Sequence, residues 1–315
     1  MSLIDRILST QEFIDRPPVL IDIGASGAIH KKWKKIASHA ICIAFDADER
    51  DFDPGSSEKS LYKKLLIKKS LVSDKSGNDT DFYLTASPHC SSLLQPDKAS
   101  LANWAYAPLF IVEKIAKLNT TDIKTALTDF SIHYIDWYKS DSQGIDLKLF
   151  KSLPENIRDK IVIAEFEPGI LDAYHDEDKL NDMLTYHDCL KKFWLAELSV
   201  KGTLRMPFEK LKEVIGHPFL QKLVAKVGKI SPGWAEMAYI NNFTDPAVDN
   251  KRALMMGWIG ATLLKQHGFA YSLAGKAAEK YDDPLFSKMQ SSSARKVIAS
   301  LISFRYVTLL IKKLF

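Results

Sequence analysis

The sequence predicts an α/β fold in which a mostly parallel sheet carries helices on both faces. Three observations predict it. Residues 19–48, VLIDIGASGAIHKKWKKIASHAICIAFDAD, read as a strand, a glycine turn, a basic helix and a second strand ending in acids, which is one βαβ unit. Further apolar segments, IDWYKS, KIVIAEFEP and FWLAELSV, alternate with helical stretches long enough to be crossovers. The last third of the chain is mainly helical, over 251–267 and 283–315, a helical C-terminal elaboration.

In order, Leu3, Ile4, Ile7, Leu8 and Phe13 share one side of a short amphipathic helix over 3–14. Pro17-Pro18 ends it, because proline lacks the amide donor and restricts the residue before it. VLIDIG is a continuous apolar run with one acid, the pattern of a central parallel strand buried on both faces. Residues 49–60 are loop-like, 62–72 hold a third strand, and NDTDFYLTA alternates as another. SPHCSSLLQPD is a hydroxyl-rich loop, 101–118 a helix, TTDIKTA a short strand, and LTDFSIHY a short helix started by Thr128 or Asp129. IDWYKSDSQGIDLKLFKSL is a strand running into Asp141, a glycine turn and an amphipathic helix. KIVIAEFEP is a strand ending in Glu165 and Glu167, DEDKLNDMLTYHDCLKKF a helix, and FWLAELSV a strand. Residues 202–233 are mainly helical, and AEMAYINN is the last strand.

Composition narrows the class. A chain of 315 residues, 46% hydrophobic, can bury a full core. A net charge of +4 does not mark a nucleic-acid binder, and the lysines of KKWKK read as the solvated side of a helix. Cys42, Cys90 and Cys189 are far apart with no CxxC partner, which argues against a disulfide framework or zinc site and fits a reducing compartment. The acids in MSLIDRILSTQEFIDRPP do not suit a secretion signal, so a cytoplasmic protein is expected.

Gly24 and Gly27 let the chain turn sharply and approach a ligand, and a helix starting near Ala28 would offer free amides to a carboxylate or phosphate. A glycine pair alone is as often a packing device. Asp46, just past the second strand and about 20 residues beyond the glycines, stands where Rossmann-like folds hydrogen-bond ribose hydroxyls.

Together, VLIDIGASG, the AFDAD strand end, FYLTASPHCSSLL and IKTALTDFSIHYIDWYKSDSQGIDLKLFKSL resemble the FkbM-type family of S-adenosylmethionine-dependent methyltransferases, over residues 19–200. Ala47 departs from the family's proline, Tyr138 from its leucine, and Asp146 from its common glutamate. The resemblance implies a class I methyltransferase fold, a seven-stranded sheet with one antiparallel strand and the ligand at the carboxyl ends of the strands. It implies that Asp22, Gly24, Ala25 and Gly27 line the methionine part of S-adenosyl-L-methionine, that Asp46 holds the ribose, and that Ser73 and Asp74 lie near the adenine. Asp141 then faces the methyl group as base or orienting group, with His89 second because histidine accepts protons near neutral pH. Lys139 is as readily an ion-pair partner as a substrate contact; Asp146 could support Asp141, and no metal is expected.

On this reading residues 1–202 are the methyltransferase core, 203–234 a helical insert that overhangs the site as a lid, and 235–315 the last strand and C-terminal helices. Arg205, Lys210, His217 and Trp234 on the insert suit a polar, anionic substrate; the alternative is a peripheral packing element. The C-terminal run ARKVIASLISFRYVTLLIKKLF is a core or dimer helix, with contact to a membrane surface, cations toward lipid, as the less favoured alternative. The expected activity is O-methylation of a hydroxyl on a sugar, glycan or secondary metabolite, so the partner is a small-molecule or glycan acceptor, with a homodimer allowed for and no nucleic acid. The alternative is a non-catalytic binding protein that retains the fold.

Overall fold

The computed structural model describes residues 1–25, 30–45, 61–227 and 229–302, and every structural statement concerns these. Among them are ten strands: β1 (Val19–Ile23), β2 (Ile41–Phe45), β3 (Lys64–Lys68), β4 (Leu71–Val72), β5 (Gly77–Thr85), β6 (Val112–Thr121), β7 (Trp137–Ser140), β8 (Ile163–Phe166), β9 (Phe193–Thr203) and β10 (Ser231–Asn241). The α-helices are α1 (Leu3–Leu8), α2 (Gln11–Asp15), α3 (Lys98–Leu101), α4 (Ile123–Asp129), α5 (Asp146–Ser152), α6 (Glu155–Arg158), α7 (Leu180–Leu190), α8 (Phe208–Val214), α9 (Pro218–Val227), α10 (Lys251–Leu263), α11 (His267–Lys280) and α12 (Pro284–Ile302).

Seven strands form one sheet in the order β3-β2-β1-β7-β8-β10-β9. β10 runs antiparallel to β8 and β9, and the remaining pairs are parallel. The chain is therefore an α/β protein with a mostly parallel sheet and C-terminal helices. All five residues of β1 are buried, because both faces are covered. Leu20, Cys42, Trp137 and Ile163 face one core with Trp33, Trp258 and Phe286, under the N-terminal helices and α10 to α12. Ile21, Ile43, Tyr138, Ala164 and Phe166 face the other, with Leu127 of α4, Phe150 of α5 and Met183 of α7. Full burial of a side chain such as Ile21 or Phe166 is worth about 1.5–3 kcal/mol. α10 comes very close to the sheet: a Cβ on Gly260 would lie 2.0 Å from Ile163 Cδ1.

Arg252, near the start of α10, joins the sheet to the N-terminus. Its Nη1 and Nη2 each donate to Asp136 at 2.7 Å, and its Nε donates to the Arg16 carbonyl at 2.9 Å. Asn250 caps the same helix, its side-chain oxygen accepting from the Ala253 amide at 3.0 Å. Asn250→Ala is expected to lower the unfolding free energy by about 1 kcal/mol, read as an earlier midpoint in urea with unchanged slope.

Several expected elements differ. The expected helix over 101–118 is instead the end of α3, a 3-10 turn (Ala107–Phe110) and most of β6. Val112, Ile115 and Ala116 have helical spacing, but antiparallel pairing with β5 overrides it, placing Phe82 opposite Ala116 and Tyr83 opposite Ile115. β4, β6 and β5 make a separate three-stranded sheet, so the expected third strand over 62–72 is split between two sheets. TTDIKTA is the end of β6 followed by α4; that helix begins after Asp122, whose carboxylate accepts from the Thr125 amide, rather than at Thr128 or Asp129. The described part of the expected basic helix is two 3-10 turns, Lys31–Lys35 and Ala37–His39, which bury Trp33 and Ala37. β9 reaches Thr203 and β10 begins at Ser231, so the insert is α8 and α9 hung on a long antiparallel pair. Among the described residues no helix is long and apolar enough to cross a membrane. Gly27, Asp46, the loop over 49–60 and the last residues of the C-terminal run, 303–315, lie outside the described residues.

Candidate active site at the ends of β1 and β7

The strand order reverses direction between β1 and β7, and a cleft opens there beyond their carboxyl ends, where α/β sheets bind ligands. Ile23, Gly24, Phe45, Leu71, Val72, Phe82, His89 and Asp141 line it. Its geometry starts from backbone. Gly24 sits at φ +73°, and a Cβ there would lie 2.1 Å from the Asp141 carbonyl oxygen, so glycine alone fits this contact. The amides of Gly24 and Ala25 both donate to the Phe45 carbonyl, at 3.1 and 3.2 Å, and the Asp141 amide donates to the Ile23 carbonyl at 3.0 Å. These bonds join the glycine turn, the end of β2 and Asp141 into one rigid corner.

Beneath that corner, Asp22, Lys139 and Glu165 form one row across β1, β7 and β8. Lys139 Nζ donates to Asp22 Oδ1 at 2.9 Å, and the His30 amide approaches Asp22 Oδ2 at 3.3 Å. Asp22, fully buried, thus has one oxygen tied to β7 and the other to the chain at His30, just after the glycine loop. Burial opposes the charge on Lys139, but the carboxylates of Asp22 and Asp141 outweigh it and raise the ammonium's pKa. Glu165 accepts from Trp137 Nε1 at 2.7 Å and from Lys32 Nζ at 2.9 Å, and His30 Nε2 lies 3.3 Å away. Burial pushes its carboxyl up, yet His30 and Lys32 prevail and hold it down at about 2. Of the two readings of Lys139, the ion pair is the one present.

Asp141 lies at the mouth between the cleft and a second, larger cavity of about 500 Å³. Gln143 Nε2 donates to its Oδ1 at 2.5 Å, and Tyr174 Oη lies within hydrogen-bond reach of both Gln143 Oε1, at 3.0 Å, and the Cys90 carbonyl, at 2.9 Å. Asp146, fully engaged, organises the floor. Its Oδ1 accepts from Ser140 Oγ at 2.6 Å and the Ser142 amide at 2.8 Å, and its Oδ2 from the Glu167 amide at 2.9 Å. It therefore supports Asp141 and also sets Glu167, at the end of β8. Burial, the first cause, pushes the carboxyls of Asp141 and Glu167 above the usual range, helped by Asp146 and Asp22 at Asp141 and by Asp141 at Glu167, with Lys139 opposing both.

The larger cavity is walled by Tyr106, Phe110, Tyr174 and Trp234 and floored by Asp141, Glu167 and Glu177. The rings form a connected wall: Tyr106 lies 5.3 Å from Phe110 and 6.2 Å from Trp234, and Phe110 lies 5.6 Å from Tyr174, centroid to centroid. Thr203, Ala225 and Trp234 bring the base of the insert to this wall, its hydroxyl bonded to its helix through Thr203 Oγ1 and the Ala225 carbonyl at 2.7 Å. Two of the insert's cations named from the sequence point elsewhere. Arg205 stacks over Trp104, and Lys210 pairs with Glu213 at 2.8 Å on an exposed surface.

The structure thus brings Gly24, His89 and Asp141 together, His89 lying exposed on a 3-10 turn between the two cavities. Ala25 is buried behind the glycine turn. Ser73 and Asp74 follow β4 beside the cleft, where Ser73 bonds Asp74 and Lys148 Nζ lies 3.3 Å from Asp74. Sequence reasoning missed Gln143, Tyr174 and, apart from Trp234, the aromatic wall. Gln143 had a signal, its place between Asp141 and Gly144 in a tight turn; Tyr106 and Tyr174, far apart in sequence, had none. No protein-family model matches the chain, and no match was found among curated proteins or solved structures.

Proposed function

We propose that the chain is a transferase that joins two ligands at Asp141, one in the strand-end cleft and one in the aromatic chamber. More particularly, it is an S-adenosylmethionine-dependent methyltransferase acting on a hydroxyl of a sugar, glycan or secondary metabolite. The observation that carries this reading is the position of Asp141, which lines both cavities and is held in register with the Gly24 turn by backbone contact. The strand order, with antiparallel β10 between β8 and β9, agrees with the class I methyltransferase architecture that the sequence resemblance implies.

The cleft residues fit that cofactor. Glycine at 24 lets the turn close against the Asp141 backbone at the cleft's edge, and the walls from Phe45, Leu71, Val72 and Phe82 are apolar enough to pack a base. No lysine or arginine is among the described lining residues, and the acid there is Asp141, which suits a sulfonium and disfavours a pyrophosphate. Gly24, Ala25 and Asp141, with Gly27 and Asp46 from the undescribed segments, would hold it. When bound, the cofactor supplies an electrophilic methyl group. The chain's residues contribute alignment and proton removal. The rings of Tyr106 and Trp234 hold the acceptor and exclude water, Gln143 orients the Asp141 carboxylate, and that carboxylate accepts the hydroxyl proton. His89 is the second candidate for this proton.

Titration calorimetry with S-adenosylmethionine and S-adenosylhomocysteine tests the reading. Saturable binding that weakens at least tenfold in Asp46→Ala is expected, since a carboxylate bonded to ribose hydroxyls contributes about 1.5–3 kcal/mol. Absence of binding to both compounds would overturn it.

A further inference from the structure

We infer that the acceptor carries a protonated amine, and that the aromatic chamber recognises this ammonium group through Glu167 and the rings of Tyr106, Tyr174 and Trp234. The inference rests on the methyl-transfer reading only for the word acceptor; the chamber chemistry stands without it. It follows from charge and shape. Three carboxylates line the chamber, and among the described lining residues there is neither lysine nor arginine. Glu177 has its counter-ion behind the wall, with Lys179 Nζ at 2.6 Å. Asp141 has Gln143 and shares the neighbourhood of Lys139, whose own bond goes to Asp22. Glu167 lines the chamber but not the cleft, so a cation in the cleft would lie beside Asp141 and leave Glu167 unmatched.

A carboxylate facing a largely apolar cavity without a counter-ion is costly, and it responds by holding its proton. Glu167 behaves so: burial, the first cause, and Asp141 push its carboxyl up against the pull of Lys139. A neutral polyol could accept or donate hydrogen bonds here but would leave the carboxyl protonated. An ammonium favours the ionised form and pairs with it as the proton is released, and the faces of tryptophan and tyrosine add cation–π attraction. The aromatic wall is continuous from Trp234 through Tyr106 and Phe110 to Tyr174, so a cation in the chamber meets both rings and carboxylates among its lining. An amino sugar, or another hydroxyl compound bearing an amine, satisfies both the methyl acceptor and the chamber.

The experiment compares benzylammonium with benzyl alcohol, two probes of equal shape that differ in charge, by ligand-observed NMR titration of the full chain. Benzylammonium is expected to bind at least tenfold tighter than the alcohol. In Glu167→Gln, which keeps the shape of the side chain, that preference should fall to within threefold. Trp234→Leu should weaken benzylammonium while leaving the alcohol within a factor of three. Equal binding of the two probes, no binding of benzylammonium, or a preference unchanged in Glu167→Gln would each overturn the inference. Binding of S-adenosylmethionine, measured on the same samples, should not change in Glu167→Gln. Its failure in the wild-type chain would count against the methyltransferase reading and leave the probe comparison standing.

Discussion

Gly24→Ala is expected to destabilise the chain by about 2–4 kcal/mol and to reduce binding in the strand-end cleft by at least a hundredfold. Two costs combine. A non-glycine residue in the left-handed region loses about 1–2 kcal/mol, and Gly24 sits there at φ +73°. The new Cβ would also stand 2.1 Å from the Asp141 carbonyl oxygen and 3.0 Å from its carbon, both backbone atoms. Neither side can yield locally. The Gly24 amide is bonded to Phe45 and the Asp141 amide to Ile23, so relief requires β1 and β7 to separate at their ends. That movement displaces the Asp141 carboxylate along with the turn. Urea unfolding measures the first effect, and calorimetry with S-adenosylmethionine the second. A variant within 0.5 kcal/mol of wild type that binds normally would show that the corner is not the constraint the geometry implies.

The same corner explains which parts of the fold a reader of the sequence can recover. β1, β2, β7 and β8 are short apolar runs buried on both faces, and β7 and β8 run into Asp141 and Glu167 at the cavities, so sequence and structure agree where burial alone decides. The last strand and the C-terminal helices as far as residue 302 are legible from their apolar patterns, whereas the strand's antiparallel direction is expected only from the family resemblance. β6 is not, because its outer face is exposed and its spacing of apolar residues fits a helix; pairing with β5, some thirty residues upstream, makes it a strand. The short turns after the glycine loop fail for another reason. Trp33 and Ile36 have to reach the core against Trp137 within a few residues, and 3-10 turns do this where an α-helix was expected.

The candidate site divides similarly. Gly24 and Asp141 carry local signals, a turn glycine after an apolar strand and an acid at a strand end. The relay from Tyr174 through Gln143 to Asp141, and the link from Asp146 to the Glu167 amide, join residues 31 and 21 positions apart and exist only once β7 and β8 pair. The chamber wall is the extreme case, since Tyr106 and Trp234 meet across about two fifths of the chain. It is also where the sequence expectation of an anionic substrate meets resistance, because Arg205 and Lys210 turn to Trp104 and Glu213 and not to the cavity.

Asp141→Asn is expected to lower turnover of the true acceptor by about a hundredfold to ten-thousandfold, weaken the cofactor by much less through loss of the charge that faces the sulfonium, and raise stability at neutral pH. The two directions together separate a catalytic carboxylate from a structural one. Burial and the nearby acids Asp146 and Asp22 push the Asp141 carboxyl up, against the opposing pull of Lys139 and Gln143. A raised folded-state pKa means that the protonated form fits the fold better than the ionised form. Its stabilising contribution is complete below the unfolded-state pKa and is lost as pH rises through the folded-state value. At neutral pH the native carboxylate is therefore a liability, and a neutral amide removes it, worth about 1–2 kcal/mol. The Gln143 contact survives, since an asparagine oxygen can accept the bond that Asp141 Oδ1 accepts now. The wild-type rate should rise with pH along a limb that lies above the ordinary carboxylate range, and Asn at this position should flatten that limb while His89 retains whatever share of proton transfer it carries. A variant that loses activity and stability together would instead make Asp141 a structural anchor, with the proton taken elsewhere.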